Sequence, residues 1–174
     1  MAIAKKIFVS VFLVFFLSIS LFHPECEAVE KKKYKVLVVM SYDEEYAWEQ
    51  EIRDGIEAGL DDCCELKWIY LDTKRHIENG ELESKKAYDI YEQFAPHGVI
   101  AADDNAQSMF VVPFLMNKVK TPVIFCGVNA EAEKYGYPAS NVSGVLERHH
   151  IDESIALAQR LIPSVKTIGY MVKE

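Results

Sequence analysis

From residue 35 onward the chain alternates short, wholly apolar blocks with longer stretches in which apolar residues recur every three or four positions. Residues 36–40, Val-Leu-Val-Val-Met, form a continuous apolar run of strand length, the pattern of a strand buried on both faces. Trp48, Ile52, Ile56 and Leu60 then lie four apart and predict a helix with one apolar stripe. Residues 66–71 predict a second strand; Ala87, Ile90, Tyr91 and Phe94 predict a second helix, which Pro96-His97-Gly98 stops. Residues 99–102 predict a third strand. The helix after it carries Met109 and Phe110, with Asp104 or Asn105 as its expected cap and Pro113 expected to kink it or end it early.

Residues 122–126 and 142–146 complete five predicted strands. Beyond Glu147-Arg148, Ile151 and Ile155 flank Asp152 as a hydrophobic staple around a cap, and Ile155, Ala158, Leu161 and Ile162 form a helix face that Pro163 ends. Residues 167–172 read as one further strand. Apolar strands separated by helices are βαβ units, so the expected fold class is α/β, a doubly wound parallel sheet with helices on both faces.

The first 28 residues stand apart from this pattern. Lys5 and Lys6 precede an uncharged run over 7–22, followed by Pro24 and then Cys26-Glu27-Ala28. These are the parts of a secretory signal, expected over 1–28 with cleavage after Ala28, and they imply an extracytoplasmic or periplasmic location. An uncut membrane anchor is the other reading, although sixteen residues at about 1.5 Å each fall short of a roughly 30 Å hydrocarbon core.

Composition narrows the function. The 174 residues are half hydrophobic, which excludes disorder, and 19 Lys and Arg against 27 Asp and Glu leave a formal charge of −8. Lys5 and Lys6 cancel Glu25 and Glu27, so the mature part keeps the whole −8. An acidic chain without a basic stripe is not built to neutralise phosphates, and no nucleic-acid partner is expected. Cys63, Cys64 and Cys126 form no closed disulfide framework and lack metal-ligand spacing; they read as packed or idle thiols, or as one bridge from Cys63 or Cys64 to another segment.

Ligands on open parallel sheets bind outside the carboxyl ends of the strands. Here those ends are Ser41-Tyr42-Asp43-Glu44-Glu45-Tyr46, Asp72-Thr73-Lys74-Arg75, Asp103-Asp104-Asn105 and Gly127-Val128-Asn129. Phosphate-loop, dinucleotide-turn, nucleophile-elbow and zinc-helix signatures are absent from the sequence, so no catalytic residue, metal or cofactor is expected. Asp103-Asp104 is the one constellation able to do acid chemistry. One of its carboxylates is explained by helix capping, leaving the other free; a phosphate-accepting receiver is a weaker reading that the leader opposes. Tyr42 and Tyr46 are candidates for an aromatic wall against a ligand, and Trp48 for packing. Lys74-Arg75 reads as a solvated loop or a partner for Asp72. His149 and His150 read as loop residues, and Asn141-Val142-Ser143 fits a glycosylation sequon.

Several segments, in order, resemble a known group: Met40-Ser-Tyr-Asp, Leu71-Asp-Thr-Lys-Arg75, Asp103-Asp-Asn-Ala-Gln107, Phe125-Cys-Gly-Val-Asn129, Glu133-Lys-Tyr-Gly136 and Asn141-Val-Ser-Gly-Val-Leu-Glu147. They are similar to the ABC-transporter substrate-binding proteins of the type I periplasmic-binding fold, and to the extracytoplasmic input domains of some bacterial sensor kinases. The resemblance implies two α/β lobes around a cleft, with 35–146 as the first lobe and 147–174 as the start of an incomplete second. It implies a small-molecule ligand touched by Ser41, Tyr42, Asp103, Asp104, Asn105, Gly127, Asn129 and, at the crossing between lobes, Glu147, to which the aromatic-wall reading adds Tyr46. The expected partner is an ABC permease, or the protein's own kinase module in the sensory alternative, and no chemical step is expected.

Overall fold

The computed structural model describes residues 33–60 and 62–169. The leader expected over 1–28 lies outside the described residues. So does the end of the strand expected over 167–172; residues 167–169 form no strand.

Strand β1 is Tyr34–Met40, helix α1 Ala47–Leu60, β2 Cys64–Tyr70, α2 Gly80–Phe94 and β3 Gly98–Ala102. Helix α3 begins at Asp103–Ala106 and widens into π-helical winding over Gln107–Leu115; β4 Val123–Val128, β5 Val142–Leu146 and α4 Ile151–Leu161 follow. The five strands form one sheet in the order β2-β1-β3-β4-β5, and every pairing is parallel. The fold is therefore α/β, with the all-parallel sheet that its apolar strand runs require: Leu37, Val38, Val39 and Met40 are fully buried.

The side chains of β1 divide between two cores. Leu37 and Val39 pack with Ala87 and Phe94 of α2 and with Phe110, Val111 and Leu115 of α3. Val38 and Met40 face the other way, against Trp48, Ile52 and Ile56 of α1. Alternation along a strand thus becomes coverage on both faces of the sheet. The α1 cover does not extend to the β4–β5 edge, where Ile124 and Val145 remain exposed.

Two helix expectations need correction. Pro113 does not end α3 at once, since the helix continues to Leu115, but the winding around it is π-helical. Proline lacks an N–H and its ring clashes with the carbonyl four residues back; winding with a five-residue repeat gives the bonds other partners, as when Met116 N–H donates to Val111 O at 2.8 Å. At α4 the cap position is His150, not Asp152, which lies in the first turn where its charge favours the helix dipole. Helix α4 buries none of its residues.

Candidate functional site

The order β2-β1-β3 places the reversal of strand order between β1 and β3. In open parallel sheets the segments leaving the carboxyl ends on either side of such a switch point run in opposite directions, and the crevice between them is where ligands bind. Ser41 and Tyr42 leave β1, Asp103 to Asn105 leave β3, and Gly127 and Asn129 end β4 beside them.

A buried polar network ties these ends together. Ser41 Oγ donates to Ala102 O at 2.7 Å and accepts the Ala106 N–H at 2.8 Å, so it caps α3 from the neighbouring strand. Thr73 Oγ1 donates to Ser41 O at 2.6 Å and accepts from Asn105 Nδ2 at 2.8 Å. Ser41 is fully buried, and its hydroxyl holds the strand ends in register. Asn105 remains half-buried at the rim.

The expected cap at Asp104 or Asn105 is also replaced. Asp103 adopts a left-handed backbone conformation, φ 69°, and its Oδ1 accepts the Asn105 N–H at 3.3 Å. Short polar residues tolerate that conformation better than others. Buried Gln107 binds the carbonyls this turn leaves, with Nε2 donating to Ala101 O at 3.0 Å and Asp103 O at 3.1 Å. Asp104 is not the free carboxylate of the pair. It crosses to β4 and accepts from Asn129 N–H at 3.0 Å, Ala130 N–H at 3.2 Å and the Tyr135 hydroxyl at 2.6 Å.

Gly127 has φ 64°, and a Cβ there would lie 2.5 Å from the Trp48 ring. Trp48 therefore packs both into the α1 core and over the Gly127 backbone, which only glycine allows. Asn129 is exposed beyond it. Glu147 continues the edge, its N–H donating to Val128 O at 2.8 Å, and the adjacent Arg148 guanidinium donates to Asn129 O at 3.1 Å and pairs with Glu131 at 2.9 Å.

Beneath the crevice lies a group that the sequence did not single out. Glu49, in the first turn of α1, is 1% exposed. Its Oε1 accepts the Tyr42 N–H at 2.7 Å, while Oε2 is buried with no hydrogen-bond partner. Burial, together with the nearby charges of Asp103 and Asp43, pushes its carboxyl up to about 7 against the opposing pull of the Tyr42 N–H. Asp103 is raised as well, chiefly by burial, and the neighbouring Tyr42 hydroxyl opposes this by favouring the charged form. The Tyr42 hydroxyl is itself held well above the ordinary phenol range by burial and then by Asp103. Cys126, under the same crevice, is pushed up to about 11 by burial and the Glu49 charge. No three His, Cys, Asp or Glu side chains among the described residues converge as a metal ion would require.

Tyr42 and Tyr46 do stand together, edge to face with centroids 5.3 Å apart, and Tyr42 also meets Trp48 at 6.2 Å. Of the pair read as loop residues, Arg75 binds Asp72 through Nε at 2.8 Å, whereas Lys74 turns onto the two tyrosine rings. The sequon asparagine is engaged internally: Asn141 Nδ2 donates to Leu115 O at 3.1 Å, and its Oδ1 accepts the Asn117 N–H at 2.8 Å. The structure thus places Tyr42, Tyr46, Asp103, Asn105, Gly127 and Asn129 at the carboxyl ends of the neighbouring strands β1, β3 and β4, uses Ser41 and Asp104 in the hydrogen-bonded framework there, and adds Glu49, Thr73 and Lys74.

No protein-family model matches the chain, and no curated protein matches it. Among solved structures the fold is similar to that of a conserved domain protein from Vibrio cholerae O1 biovar El Tor, with a TM-score of 0.54 and 16% sequence identity. The match covers 78% of this chain and 46% of that one, so this chain spans a little under half the length of its structural neighbour.

Proposed function

We propose that the protein is an extracytoplasmic solute-binding component that holds a small molecule at the β1–β3 switch point and presents it to an ABC importer. The observation that carries this reading is that Tyr42 and Tyr46, Asn105 and Asn129 follow the carboxyl ends of the neighbouring strands β1, β3 and β4, over a hydrogen-bonded floor. The sequence resemblance supplies the second lobe that would close over the ligand, by hinge motion, into the form a permease reads.

Thermal unfolding of the full chain against a panel of amino acids, nucleosides and sugars tests this reading. One chemical class is expected to raise the midpoint, and Asn129→Ala, which alters the rim without touching the buried floor, is expected to weaken that response. A flat response across the panel, or stabilisation indifferent to Asn129→Ala, overturns it.

A further inference from the structure

Lys74 follows β2, where a lysine ordinarily points into solvent, and the carboxylate next to it is already taken: Asp72 is bound by Arg75 through Nε at 2.8 Å and Nη2 at 3.2 Å. The Lys74 ammonium instead lies 3.8 Å from the centroid of Tyr46 and 4.6 Å from that of Tyr42, and it donates to the Tyr46 hydroxyl. Holding a lysine side chain in one place costs rotamer freedom. A cation over an aromatic face is attracted by the ring quadrupole, and two ring faces and a phenol oxygen on one ammonium offset that cost.

Two buried carboxyls, Asp103 and Glu49, lie within electrostatic reach of Tyr42. The Tyr42 hydroxyl reaches Asp103, and Glu49, 1% exposed, holds one oxygen without a partner; the Lys74 charge acts on this same carboxyl. The place therefore selects positive charge by aromatic faces and by buried carboxyls. Its present occupant is tethered through a flexible stem that can swing away with no change in the backbone.

We propose that Tyr42 and Tyr46, backed by Asp103 and Glu49, form a subsite for the cationic group of an alkylammonium ligand, and that Lys74 is a built-in competitor which such a ligand displaces. The proposal rests on the solute-binding reading and names the ligand class for it. A ligand binds to the fraction of molecules in which Lys74 has left the rings, so its apparent affinity falls by that fraction, and removing the lysine charge restores it.

The test is calorimetric titration of choline, and of its uncharged carbon isostere 3,3-dimethylbutan-1-ol, into the full chain and its Lys74→Met variant at constant ionic strength. Choline is expected to bind Lys74→Met about 10-fold more tightly than the wild type. The isostere is expected to bind neither detectably, and Tyr46→Ala placed on Lys74→Met to abolish the gain. Lys74→Gln serves in the same way should Lys74→Met fail to fold, since it also removes the charge. Equal choline affinity with and without the lysine charge, or binding of the isostere as strong as that of choline, overturns the proposal. If choline is inert throughout while a neutral or anionic member of the solute panel still stabilises the protein, the cation subsite falls and solute binding stands; if nothing binds, both fall.

Discussion

The Tyr135 hydroxyl donates to Asp104 Oδ1 at 2.6 Å, joining the short helical turn after β4 to the first residues after β3. Because Asp104 also accepts two backbone N–H groups, from Asn129 and Ala130, a single carboxylate fixes the distance between two of the strand ends that form the crevice. Its role is structural, and the crevice owes its shape to it.

Asp104→Ala leaves two backbone donors and a phenol without their acceptor. Hydrogen bonds to charged groups contribute about 1.5–3 kcal/mol each, with strong overlap inside one network, so the expected loss is about 2–4 kcal/mol in urea unfolding. Tyr135→Phe removes one bond and is expected to cost about 1 kcal/mol. In the double variant the tyrosine substitution should add almost nothing, and full additivity would show that the two residues act independently.

Gly127→Ala tests the other side of the same edge. The residue has φ 64°, and the added methyl carbon would meet Trp48 at 2.5 Å. Left-handed backbone costs a non-glycine residue about 1–2 kcal/mol, and displacement of the indole adds to this. A lowered unfolding midpoint with a red shift in tryptophan emission is expected; emission identical to the wild type would mean that the ring does not press on the glycine.

The sheet was legible in the sequence and the polar wiring was not, for a physical reason. A central parallel strand must be apolar on both faces, so residues 36–40 announce themselves locally. Asp104 meets Asn129 only because β3 and β4 pair in the register Ala102 with Cys126, a relation between segments that no local pattern contains. Glu49 looks like an ordinary polar residue beside the Trp48 stripe; it is the adjacency of β1 and β3 that encloses it. Ser41 was recognisable as a strand-end residue, yet its burial depends on Ala102 and Ala106, more than sixty positions away. Lys74 was read against its sequence neighbour Asp72, whereas its partners come from the β1 end.

Cys126 reports the same enclosure chemically. Its thiol is pushed up to about 11, chiefly by burial, so at pH 8 its thiolate fraction falls about 100-fold below that of an ordinary cysteine. Alkylation of the native protein with iodoacetamide, read by peptide mass mapping, should modify exposed Cys63 first and Cys126 last. Glu49→Gln, by removing the nearby negative charge, should speed Cys126. Unchanged reactivity in that variant would place the carboxylate too far away to act on the thiol.

Glu49 makes the stability of the protein depend on pH in an unusual direction. Unfolded, its carboxyl ionises near the ordinary value of 4.5; folded, burial holds the proton up to about 7. Between these values the folded state binds more protons than the unfolded one, so this group's contribution is complete below pH 4.5 and is lost as pH rises through 7. A separation of this size corresponds to about 3 kcal/mol. The groups facing it are Tyr42, Asp43, Asp103 and Lys74 at the strand ends, with Cys126 on β4 and Tyr70 on β2. Of these only the Tyr42 N–H and the lysine favour the charged carboxylate. Glu49→Gln preserves an acceptor for the Tyr42 N–H and cannot ionise. Its urea midpoint should therefore match the wild type near pH 4.5 and exceed it at pH 8, whereas parallel profiles across that range would mean that Glu49 ionises in the folded protein as it does in the unfolded chain.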